Sequence, residues 1–224
     1  MQKFDTPAAI SAHLDLAAAD IRLIASDRTD TTVEVLPADA AKSRDVQAAE
    51  QIEVTHHADG VLRISAPAAK NRLLGDSGTV AVTVQLPAGS RIQAKTASGT
   101  LQSKGRLGDV VFEGAQGTVH LDQTAGARLT LQAGDITLGR LDGDAELTTH
   151  KGDLTVTEGV RGTLTLRTQQ GNITVDAAPG TAATLDAGTS HDRTHNSLKN
   201  SEGSAARLDI HATTAYGDIT ARSL

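Results

Sequence analysis

A glycine returns at a nearly constant interval through the middle of this chain, and that interval limits the fold more than any other feature of the sequence. In the phrases ASGTLQS, AQGTVHL, AGDITL, HKGDLTV and QQGNITV it stands at Gly99, Gly117, Gly134, Gly152 and Gly171, in steps of 18, 17, 18 and 19 residues. A second series, Gly108, Gly126, Gly143, Gly162 and Gly180, keeps the same beat. Each period therefore reads as strand, glycine turn, strand, glycine turn. Self-similarity at about 20 residues marks a solenoid, because one such unit cannot bury its own apolar face and must stack on its neighbours.

The alternation within each period agrees. Two residues after the anchor glycine stand Leu101, Val119, Ile136, Leu154 and Ile173; five before it stand Ala94, Phe112, Leu129, Leu147 and Leu166. The columns between are polar: Lys95, Glu113, Thr130, Thr148 and Arg167 on one strand, Gln102, His120, Thr137, Thr155 and Thr174 on the other. Period-2 patterning of this kind belongs to strands buried on one face. An amphipathic helix would need apolar spacings of three and four, and glycine at every half-period opposes it. If rungs stack about 4.8 Å apart, each side chain lies over its equivalent in the next rung. Aliphatic residues stack well in such columns and large rings do not. That accounts for an aromatic inventory limited to Phe4, Phe112 and Tyr216.

Outside the repeat, ADIRLIAS (19–26) and TTVEVLP (31–37) read as strands, and 38–51 as a short helix or ordered loop. QIEVTHHADGVLRISAP (51–67) reads as a hairpin around Ala58-Asp59-Gly60. Residues 68–78 form a polar connection. No linker separates these parts, so the expectation is one all-β domain over 1–224, a β-solenoid or β-helix-like stack of two-strand repeats of about 18 residues. It comprises an irregular β region (1–78), regular repeats (79–180), and a loop insertion with a final rung (181–224). The insertion is inferred from spacing: Gly171 to Gly217 is 46 residues. Two plain repeats need about 36.

Taken together, VAVTVQLPAGSRIQAKTASGTL, the serial GDV and GDIT phrases and the closing TTAYGDITARSL resemble the bacterial β-strand-repeat family of "putative adhesins" also called toastrack, a family of unknown function. The resemblance covers essentially the whole chain and implies a right-handed β-solenoid-like fold. It brings no catalytic residues.

Composition narrows the function classes. The net charge is −6 and no basic run tracks phosphates, so nucleic acid is not an expected partner. Cysteine is absent, which excludes disulfides, thiol catalysis and thiolate metal sites. The start, MQKFDTPAAISAHLDLAAAD, shows no leader pattern, and no stretch approaches the roughly 18 apolar residues of a membrane span. A cytoplasmic protein without direct membrane insertion is expected.

Candidate chemistry is sparse. Asp135, Asp153 and Asp218 share one column with Asn172, Thr100 and Thr118, which suggests either a calcium ladder or turn residues bonded to backbone. Carboxylates stacked at rung spacing repel by only about 0.9 kcal/mol in water, so no cation is required, and the turn reading is preferred. His191, Asp192 and His195 in SHDRTHN are the densest ligand-type cluster and the candidate metal ligands. His56 and His57 are neighbours that a strand would turn to opposite faces. Outward acids such as Glu113, Asp122, Glu146 and Asp186 are scattered over different columns, and no nucleophile elbow or phosphate loop occurs. No catalytic residue and no cofactor are expected.

The function read from the sequence is a non-catalytic scaffold or protein-interaction module of unknown partner. The alternatives are a ligand- or metal-binding sensor using the 187–203 loop, and a carbohydrate-active β-helix enzyme. Because YGDITARSL leaves no residues after it to cap a terminal rung, a homo-oligomer, most simply a dimer, is also expected.

Overall fold

We analysed the chain as a computed structural model, which describes residues 1–57, 59–66, 78–199 and 206–224. The regular repeats stack as parallel rungs, each contributing one strand to each of two faces. In the first rung, β2 (Ser11–Ser26) turns one corner, and β7 (Arg91–Lys104) lies on it in register from Ser11↔Arg91 to Ile24↔Lys104. β8 (Arg106–Ala133) follows with Ala94↔Phe112 and Leu101↔Val119. Beyond it the faces separate. One continues through β10 (Ala145–Lys151) and β12 (Gly162–Gln170), the other through β9 (Ile136–Leu141), β11 (Leu154–Gly159) and β13 (Ile173–Ala177). The columns read from the sequence face as expected. Leu101, Val119, Ile136, Leu154 and Ile173 are buried, as are Ala94, Phe112, Leu129, Leu147 and Leu166.

The repeat starts earlier than its glycines indicate. Ala19 pairs with Gly99, and Ala12, Leu14, Ile21 and Leu23 fill the same inward columns. An alanine stands where the repeat otherwise has glycine, which hid this rung. The remaining N-terminal strands close that end. β5 (Val61–Ser65) and β6 (Val80–Pro87) pair with the two halves of β2. β3 (Asp30–Pro37) runs antiparallel to β6, β1 (Gln2–Asp5) to β3, and β4 (Glu53–His56) to β5. Helix α1 (Ser43–Glu50) packs on β3 and β6; its buried Asp45 accepts backbone hydrogen bonds from Asp39 and Thr79. The expected hairpin pairing is present, and of the two readings of 38–51, short helix or ordered loop, the helix is the one found. Ala58 and most of the 68–78 connection lie outside the described residues.

The C-terminal end departs from the sequence reading. The segment expected to be a loop holds β14 (Thr181–Thr189) and β15 (Thr194–Ser197), a rung of its own. The final strands, β16 (Ala206–Tyr216) and β17 (Ile219–Ser223), do not lie outside it. β16 sits between β12 and β14, with Leu164↔Ile210 and Leu185↔Ile210, while β17 sits between β13 and β15, with Ile173↔Ile219 and Thr194↔Ile219. The loop reading of 187–203 is therefore corrected as far as residue 199; residues 200–203 lie outside the described residues. So is the premise that YGDITARSL is the terminal rung.

The physical reason is the quality of the two rungs. Leu208, Ile210, Ala212, Ile219 and Ala221 of β16–β17 are buried, as interior columns require. β14–β15 offers Ala183 as its one buried apolar side chain, with Leu185 and Ala187 partly buried and Thr194 and Asn196 exposed. Placing the polar rung outermost leaves the apolar one covered on both sides.

Candidate functional site

The corners where the anchor glycines stand carry most of the polar detail. Gly117 has φ +145°, and a Cβ there would lie 1.7 Å from the carbonyl oxygen of Gly99 in the rung below. Gly134 repeats this, with φ +134° and a Cβ 1.6 Å from the Gly117 oxygen. The rungs therefore meet backbone to backbone at this corner, closer than any side chain permits. Three residues before the glycine stands a buried threonine whose hydroxyl donates to the glycine carbonyl one rung down. Thr149 reaches Gly134, Thr168 reaches Gly152 at 3.1 Å, and Thr214 reaches Gly171 at 3.1 Å. The sequence reading passed over this column, although a threonine three places before the anchor is visible at 96, 149, 168 and 214.

The acidic column follows directly. Asp135 Oδ1 accepts the Asp153 N–H at 2.8 Å, Asp153 Oδ1 accepts that of Asn172 at 2.7 Å, and Asn172 Oδ1 accepts that of Asp218 at 2.9 Å. Asp218 Oδ1 in turn accepts the Arg193 N–H at 3.0 Å, and at the far end Asp20 Oδ1 accepts that of Thr100 at 3.2 Å. Each side chain thus satisfies a backbone donor that the turn leaves out of the sheet ladder. The Gly-Asp phrase is a joint between rungs.

His191, Asp192 and His195 lie on the outermost rung. Asp192 occupies the anchor position there, and its Oδ2 accepts the Gly217 N–H at 2.7 Å. The His191 ring stacks on Tyr216 with centroids 4.5 Å apart and planes 16° from parallel, and its Nδ1 is 3.3 Å from the Ala215 carbonyl oxygen. His195 is on β15 opposite Thr220, exposed, continuing the outward row Thr137, Thr155, Thr174 and Thr220. The first two are tied to the Ala215–Gly217 corner, and the third faces outward along the strand. Among the described residues no three His, Cys, Asp or Glu side chains gather into a metal-holding group. In the hairpin, His56 packs its ring against Phe4 at 5.3 Å, linking β4 to β1, while His57 is exposed.

The charged side chains of the outer faces are arranged across rungs. Lys95 pairs with Glu113 at 3.6 Å and Arg128 with Glu146 at 3.1 Å, while Arg140 pairs with Glu158. A shallow depression of about 360 Å³ crosses the first face, lined by Asp109, Gly126, Arg128, Asp144 and Glu146. Its Arg128 and Glu146 are already paired with each other. The perturbed carboxylates are structural. Hydrogen bonds from Arg28 and Lys3 lower Asp30 from 3.8 to about 2, and bonds from Thr184 and Arg207 lower Asp209. Lowering makes a carboxylate a weaker base, the opposite of what a general acid or base near neutrality needs. Among the described residues no helix is long and apolar enough to cross a membrane.

Comparison with known proteins agrees with this architecture. A "putative adhesin" from Bacteroides fragilis matches with a TM-score of 0.55 at 15% identity, over 98% of this chain and 95% of that one. A "putative adhesin" from Parabacteroides distasonis matches at 0.49 and 15% identity, covering 100% and 95%. A "putative cell adhesion protein" from Clostridium sporogenes matches at 0.42 and 12%, covering 100% and 98%. At 15% identity the likeness to the Bacteroides fragilis protein is one of fold. No curated protein matches the sequence. The family described as Toastrack DUF4097 matches residues 11–223, the span from the first residue of β2 to the last of β17, and the chain belongs to that family.

Proposed function

We propose that this chain is a non-catalytic scaffold or protein-interaction module, adhesin-like in the sense its structural relatives' names carry. The observation behind this reading is the second outer face. Nine parallel strand segments, from β6 to β15, pair side by side, with one register shift, between Val156 and Gly159 of β11 where it meets β13. At about 4.8 Å per strand and about 17 Å of strand length, they present roughly 650 Å². That approaches the roughly 800 Å² one partner contributes to a standard protein interface. The face is rigid, because its corner side chains are committed to bonds between rungs, and five of the nine residues in its central row are threonines, the rest being Arg22, Gln102, His120 and His195. A preorganised surface lowers the ordering cost of binding, which is what a docking platform needs.

Cross-linking mass spectrometry on the protein in its own cells, with metal titration beside it, tests the reading. Partner cross-links concentrated on Lys104 of β7 and on the exposed Lys199, which follows β15 beside β17, support it. A melting temperature raised by zinc or calcium, with no protein cross-links to either lysine, overturns it in favour of a sensor using the 187–199 rung, since only a specific ligand stabilises the folded state in that way.

A further inference from the structure

We infer that residues 206–224 are an exchangeable plug, and that the slot holding them also accepts the same segment of a second copy of this chain. Most rungs of the regular stack lie against the preceding segment of the chain. The β16–β17 rung instead enters between two rungs made earlier, pairing Ile219 with Ile173 on one side and with Thr194 on the other. Those partners are 46 and 25 residues back in the chain (219 − 173 and 219 − 194). Among the described residues the two walls are joined at the corner that follows β13, where Thr181 N–H donates to the Ala178 carbonyl and the Thr181 hydroxyl to that of Val160. For the plug to enter, the walls must stand apart, and in that state the inward columns Leu164, Leu166, Ile173 and Val175 have one side open.

The slot reads a pattern. It offers the Gly171 carbonyl, which lies 2.0 Å from where a Cβ on residue 217 would be, so only glycine fits there. It offers Asn172 Oδ1 to the Asp218 N–H and the Arg193 N–H to the Asp218 carboxylate. Arg222 then closes a two-point pair on the buried Asp176, Nε to Oδ1 at 2.6 Å and a terminal nitrogen to Oδ2 at 2.8 Å. Every one of these contacts is made across the slot. None requires the plug to belong to the same chain, so a second copy supplies an identical set. Exchange of one element between identical chains is a low-cost route to a dimer. What favours the closed monomer is the covalent link from β15 to β16, a tether that gives the plug an effective concentration on the order of millimolar. Exchange should therefore appear when chains fold together at high concentration and close on one another. This goes beyond the interaction reading and stands or falls separately from it.

The chain has no cysteine, so a cross-link can be placed at will. Thr174 and Thr220 are register partners on the outer face, at the neighbour spacing of about 4.8 Å that a disulfide spans. The Thr174→Cys, Thr220→Cys variant should give a covalent monomer when folded and oxidised at about 10 µM, and a covalent dimer when refolded from denaturant near 0.5 mM, approaching the tether's effective concentration. A control with Thr155→Cys and Thr174→Cys, partners that both lie outside the plug, should give monomer at both concentrations. Covalent monomer from the first variant at every refolding concentration overturns the proposal. Covalent dimer from both variants overturns it too, by showing contact that does not depend on the plug.

Discussion

At the scale of single residues, the anchor glycines and the residue after each do the joining. Gly134 and Gly89 both have positive φ, but a Cβ at Gly134 meets the Gly117 oxygen at 1.6 Å, while at Gly89 nothing lies within 4 Å. Gly89→Ala should therefore cost about 1 kcal/mol, the left-handed penalty alone. Gly134→Ala should cost upwards of about 3 kcal/mol, because strain and collision add. Urea unfolding of the two variants measures the difference, and equal losses would mean the rungs are not in contact at this corner. Asp30 gives a pH dependence. Its folded pKa of about 2 is below the unfolded 3.8, so the stability it contributes is present above pH 4 and is lost as pH falls towards 2. Asp30→Asn should flatten the thermal-melting curve in that window alone and leave it unchanged in shape near neutrality.

At the scale of elements, the inward and outward alternation decides tolerance. Leu129 and Leu147 are fully buried in one column, whereas Thr130 is exposed and Thr148 half-exposed on the other side of the same strands. Leu129→Asp should abolish soluble folding, since it places a charge among apolar neighbours with no partner. Thr130→Asp should stay within about 0.5 kcal/mol of the parent. Soluble yield and circular dichroism distinguish them. Phe112 shows how tightly a column constrains its neighbours. A Cβ on Gly114 would lie 2.8 Å from the Phe112 ring and 2.8 Å from Leu131, so the one ring inside the repeat is accommodated by a glycine two residues on. The LPAGS phrase is likewise a corner: Gly89 turns with φ +79°, and the buried Ser90 hydroxyl donates to the Pro87 carbonyl and accepts the Ile10 N–H.

At the scale of the molecule, the ends differ from the middle. The N-terminal end is closed by antiparallel strands and a helix, and the C-terminal end by the polar β14–β15 rung. Amide exchange should therefore be fastest over 181–197 and slowest over 164–175, because an outermost rung has a neighbour on one side only. Removing Asp192–Asn200 should expose β17 and lower the melting temperature. On the loop reading the same deletion would be harmless, so calorimetry separates the two.

The repeat, its period, its buried columns and its glycine corners were legible in the sequence, because stacking obliges equivalent residues to recur and recurrence is visible in one dimension. The Gly-Asp phrase was legible as a turn for the same reason. The rung at 181–197 was not, since a capping rung is excused from the apolar pattern and carries Asp192 where the regular repeats carry glycine. Nor was the entry of β16–β17 between two earlier rungs. Two strand rungs that follow one another in the chain can stack in either order. Only burial decides which is interior, and burial is a comparison of both rungs against the same neighbours in space.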